Sequence, residues 1–96
     1  MIRHTQRLCI PAAHPTAALH FPGLPIVPGA LLLDEAAALI AGSAPLRFRA
    51  VKFIAPIRHG EALELSWQTD GHLTRFTLRR LGETPPLLSG ALETLA

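Results

Sequence analysis

The chain has 96 residues, enough for one small domain that on folding buries only about two-thirds of the surface its unfolded form exposes. It is 49% hydrophobic and 17% charged with a net charge of +2, a composition that excludes a disordered or strongly charged chain and carries more apolar surface than one small core needs, so at least a dimer is expected. A single cysteine, Cys9, excludes an internal disulfide or a cysteine-rich zinc site.

The basic side chains are eight arginines and one lysine, Lys52, which suits phosphate or carboxylate partners. With no tyrosine, one tryptophan and no basic run, the footprint of a nucleic-acid binder is missing. The first residues, Met-Ile-Arg-His-Thr-Gln-Arg-Leu, are too polar for a signal peptide. The longest apolar run, residues 30–41, is interrupted by Asp34 and Glu35 and is too short to span a bilayer, so a soluble, cytoplasmic protein is expected.

Residues 2–10 read as a weakly alternating strand that Pro11 ends. Prolines at 15, 22, 25 and 28 then exclude regular structure over residues 12–28, leaving a loop of a length at which functional loops are over-represented. A helix should begin near Gly29 and run to about Ala41, where Gly42-Ser43 and Pro45 stop it. Its apolar residues fall on every side, which predicts a helix surrounded by protein on most faces.

The remainder alternates like sheet. Residues 46–57 read as a strand whose apolar parity switches between Ala50 and Val51, the signature of a bulge or of burial on both faces. Residues 61–69 place Leu63, Leu65 and Trp67 on one face and Glu64, Ser66 and Gln68 on the other. Asp70-Gly71 marks a hairpin, residues 72–81 return with Phe76 and Leu78 inward, and residues 87–95 form a final strand. One helix followed by antiparallel strands makes an α+β domain covering residues 1–96, with the sheet wrapped around the helix.

Chemistry concentrates between His20 and Asp34. Asp34 has Ala30, Leu31, Ala37 and Ala38 as its helical neighbours, so no partner shares its face; it either reaches water or an arginine at a rim, or it works in a shielded site. His20 sits in a bent proline-rich loop that could hold an imidazole at a fixed angle, although a lone loop histidine is ordinarily a surface residue. His4, His14, His59 and His72 share no metal-ligand spacing with it. Gly29, after Pro28, stands where helix N–H groups lack acceptors and could stabilise a developing oxyanion, or could simply begin the helix.

The run His20-Phe21-Pro22-Gly23, then Pro25, Pro28-Gly29 and an acid fourteen positions after the histidine, resembles the active-site segment of the 3-hydroxyacyl-[acyl-carrier-protein] dehydratases of the hotdog fold. Val51-Lys52-Phe53, Pro56 and Gly60 through Leu63 are similar to that family's strand after the helix. The small size is closer to the hotdog dehydratases of aryl-polyene and related polyketide-like pathways than to fatty-acid enzymes. Leu19 stands where the family usually has glycine, and Thr16-Ala17-Ala18 replaces an aromatic pair.

The resemblance implies that His20 removes the C2 proton of a (3R)-3-hydroxyacyl thioester and Asp34 protonates the departing hydroxyl. The Gly29 N–H would polarise the thioester carbonyl, and Phe21, Pro28, Leu31 and Leu32 would line an acyl tunnel. It implies no cofactor and no metal, an acidic acyl carrier protein as partner, and a site shared by two subunits of a homodimer or of a heterodimer with a related chain. A hotdog thioesterase and a non-catalytic carrier-binding or heterodimer-stabilising subunit are the alternatives.

Overall fold

The computed structural model describes residues 2–11 and 26–95. Five strands and one helix follow in the order β1 (Arg3–Leu8), α1 (Gly29–Ala41), β2 (Leu46–Phe53), β3 (Leu63–Asp70), β4 (Leu73–Arg80) and β5 (Pro86–Thr94). The strands form one antiparallel sheet in the order β1-β3-β4-β5-β2, which leaves β1 and β2 at its edges.

Alternation gives the sheet two unlike faces. Leu63 and Leu65 on β3, Phe76 and Leu78 on β4 and Leu88 and Leu92 on β5 are buried on the inner face, where Leu32 and Ala36 of α1 join the same cluster. The outer face is polar, yet Ser66 on it is only 5% exposed, a departure from the outward, solvated position its alternation predicts. The reason is local: the Arg79 guanidinium reaches across from β4 to donate to the Ser66 hydroxyl at 3.3 Å.

α1 has the bounds expected, and Gly42, at φ 61°, closes it with a hydrogen bond from its N–H to the Ala38 carbonyl. Its surroundings are not as expected. Within the single chain only Leu32 and Ala36 are buried, while Ala30, Asp34, Ala38 and Leu39 are exposed. One face meets the sheet and the opposite face, still mostly apolar, is left open, because a five-stranded sheet covers only one side of a helix.

Two further boundaries move. The parity switch in β2 is a register shift between Arg49 and Lys52, with Ala50 at φ 52°. The strand ends at Phe53 rather than at residue 57, since Pro56 has no N–H for a ladder. In the β3–β4 hairpin Asp70 pairs with Leu73, so the two-residue loop is Gly71-His72, one position beyond the Asp-Gly reading. Gly71 takes the positive φ, 62°, at the first loop position, as a type II′ turn requires.

Gly90 on β5 allows the inner face to close over a strand. A Cβ there would lie 3.1 Å from the Phe76 ring and 3.2 Å from the Val51 Cα. No helix among the described residues is long and apolar enough to cross a membrane.

Candidate active site

The helix start is the best-defined part of the site. The Leu31 and Leu32 N–H groups both bond to the Pro28 carbonyl, at 3.1 and 3.3 Å. The Leu32 bond is the first regular one of the helix and the Leu31 bond is a tighter i→i−3 one; since Pro28 has no N–H, Gly29 and Ala30 are the first-turn donors left without a backbone acceptor among the described residues. The Phe53 ring lies over Gly29, so close that a Cβ at that position would stand 2.7 Å from Cε1. Glycine is needed there for contact with the ring, not for an unusual backbone angle.

Beside this contact opens a groove of about 480 Å³ lined by Ile26, Val27, Gly29, Leu32 and the stretch from Phe53 to Ile57. Its walls are held by backbone hydrogen bonds: Val27 N–H to the Ile57 carbonyl at 2.8 Å, and Ile54 and Ala55 N–H to the Leu87 carbonyl at 2.9 and 3.2 Å. The lining side chains are apolar apart from the exposed peptide groups, which suits an acyl chain better than a polar ligand. Phe53 and Ile54 are about half exposed, at 56% and 47%, and form the mouth.

Of the residues the sequence singles out, Gly29 and Leu32 line this groove. Pro28 and Leu31 are half-buried and are not among its lining residues. His20 and Phe21 lie outside the described residues. Asp34 is exposed, with no hydrogen bond or ion pair among the described residues, and it sits about 200° around the helix from Leu32, on the side facing away from the sheet. Of the two environments its neighbours allow, the described residues thus give Asp34 the water-facing one, and none of them shields its carboxyl.

Sequence reasoning missed the wall from Ile54 to Ile57, which it assigned to a strand. Pro56 was the available signal, since a ladder cannot continue through it. Among the described residues no group of three potential metal ligands occurs.

A family model for ApeI-like proteins, described as ApeI dehydratase, matches residues 2–90. No curated protein matches the sequence. Among solved structures, the dehydratase heterocomplex ApeI:P from Xenorhabdus doucetiae is similar at a TM-score of 0.80 and 22% identity, over 98% of this chain and 88% of that one. An N-terminal dehydratase from the difficidin assembly line is similar at a TM-score of 0.73 and 16% identity, over 98% of this chain and 38% of that one. A mutant of the fluoroacetyl-CoA thioesterase FlK, in complex with fluoro-acetate, is similar at a TM-score of 0.56 and 14% identity, over 96% of this chain and 84% of that one. At these identities the structural likenesses speak to fold alone. The fold agrees with the family match across nearly the whole length: the chain belongs to the ApeI-like dehydratase family and has the hotdog fold.

Proposed function

We propose that this chain is a subunit of a hydro-lyase that converts (3R)-3-hydroxyacyl thioesters on an acyl carrier protein to trans-2-enoyl thioesters, in aryl-polyene or polyketide-like biosynthesis. The observation that carries the reading is the side of α1 that faces away from the sheet, where exposed Ala30 and Ala38 flank Asp34, a carboxylate with no partner among the described residues. Exposed apolar residues around an unpaired acid are poorly suited to water and well suited to a site completed by a second subunit. The ApeI dehydratase of the similar solved structure is itself part of a heterocomplex, which supports a related hotdog chain as the partner.

In this reading the acyl chain lies in the groove beneath Phe53, and the thioester carbonyl rests against the Gly29 N–H at the positive end of α1. His20 of one subunit, in neutral form, takes the C2 proton, and electron density moves toward the carbonyl oxygen. Asp34 of the other subunit, in acid form, gives its proton to the leaving hydroxyl, and water departs.

The test is turnover of a carrier-bound 3-hydroxyacyl substrate by the full chain, alone and with a related hotdog chain from the same genomic neighbourhood. His20→Asn and Asp34→Asn should each lower enoyl-thioester formation by about 10²–10⁴-fold. Unchanged turnover in either variant removes that residue from the mechanism. Release of free carrier thiol in place of enoyl product would reassign the chain as a thioesterase.

A further inference from the structure

The outer face of the sheet, remote from the helix, carries a row of cations. Strand register places Arg3 of β1 beside Gln68 of β3 and Gln68 beside Arg75 of β4. Two strand spacings separate the arginines, about 10 Å between Cα atoms, so both guanidinium groups can reach a point above Gln68. The next row along the strands supplies hydroxyls, Ser66 beside Thr77. Arg3, Ser66, Gln68, Arg75 and Thr77, with the Trp67 backbone between, line a polar groove of about 260 Å³.

No carboxylate among the described residues pairs with these two charges. All seven Asp and Glu side chains lie within the described residues, and the ion pairs they form go to Arg47, Arg49 and Arg80. Glu64 and Asp70, the acids on the same face of β3, line the adjoining grooves, Glu64 and Glu83 with Arg3 and Asp70 with Arg75, but none of them lines this groove or forms an ion pair with either arginine. Arg3 and Arg75 have no ion pair or hydrogen bond among the described residues, although Arg79, on the same strand as Arg75, is held by the Thr84 carbonyl and Ser66. Two guanidinium groups facing one groove concentrate positive charge that an anion between them would offset, and guanidinium forks match tetrahedral oxyanions.

We propose that this groove is an oxyanion site for a phosphate dianion, with Arg3 and Arg75 as its clamp and Gln68 and Thr77 as neutral donors. A dianion neutralises both arginines, whereas a monoanion would leave one uncompensated. The site is independent of the dehydratase chemistry, from which the sheet separates it.

Calorimetric titration of the full chain with inorganic phosphate and with phenyl phosphate, in phosphate-free buffer at constant ionic strength, tests the assignment. Saturable binding is expected, tightening as pH rises through about 6 to 7 and the dianion forms. Arg3→Gln and Arg75→Gln should each weaken it about ten-fold or more, and Arg58→Gln, which removes an exposed arginine elsewhere, should not. Binding of both ligands assigns the site to phosphomonoesters, and binding of inorganic phosphate alone assigns it to the free ion. No saturable binding by about 20 mM, unchanged affinity in Arg3→Gln and Arg75→Gln, or an equal loss in Arg58→Gln overturns the proposal.

Discussion

Replacing Gly29 by alanine separates two effects of opposite sign at the start of α1. The new Cβ would lie 2.7 Å from Phe53 Cε1 and 2.8 Å from Cζ, about 1 Å inside comfortable carbon contact, so the ring must move. Phe53 is 56% exposed and only the far end of its side chain is struck, which keeps the cost near the lower end of overpacking, about 1–1.5 kcal/mol. Against this, alanine is a better helix former than glycine and narrows the unfolded ensemble, worth about 0.5 kcal/mol at a first-turn position.

Gly29→Ala should therefore destabilise the protein by about 0.5–1 kcal/mol, and in a Phe53→Ala background the same change should stabilise it by about 0.5 kcal/mol. Urea unfolding of the four proteins at one fixed concentration gives the coupling energy, the concentration being held because association shifts apparent stability. An effect of the same sign and size in both backgrounds would refute the ring contact, and with it the shape assigned to the groove mouth.

Gly90→Ala has no comparable escape. Its Cβ meets the buried Phe76 ring and the Val51 backbone, and a loss of about 1–3 kcal/mol is expected, seen as a lower melting temperature by about 4–8 °C per kcal/mol. Leu65→Ala, at a fully buried position, should cost about 2–5 kcal/mol in the same unfolding assay. Ala50→Gly runs the other way: at φ 52° alanine is strained, and glycine should raise stability by about 0.5–1 kcal/mol in urea titration. Glu93→Gln breaks the pairs with Arg49 at 2.8 Å and Arg47 at 3.7 Å, both largely exposed arginines, and should change stability by less than about 1 kcal/mol, with the difference shrinking in added salt.

Much of this protein is written in local patterns. The bounds of α1 follow from Pro28-Gly29 at one end and Gly42 at the other, both of which act within a turn or two of chain. The inward residues of β3 and β4 follow from strict alternation, and the bulge at Ala50 follows from a break in it. The motif from His20 to Gly29 and the acid at position 34 pointed to the dehydratase family that the family match then established.

Other features depend on which elements meet. That Phe53 rests on Gly29, that the chain from Ile54 to Ile57 walls a groove instead of extending a strand, and that Arg79 covers Ser66 are contacts between residues 13 or more positions apart, and no local period encodes them. The same holds for the environment of Asp34. Its sequence neighbours are all apolar, which suggests burial, but burial is a property of what packs against a face, and the sheet of this subunit packs against the other side of the helix. Local physics set the carboxylate on an apolar surface; only the three-dimensional arrangement decided that this surface faces outward, away from the sheet.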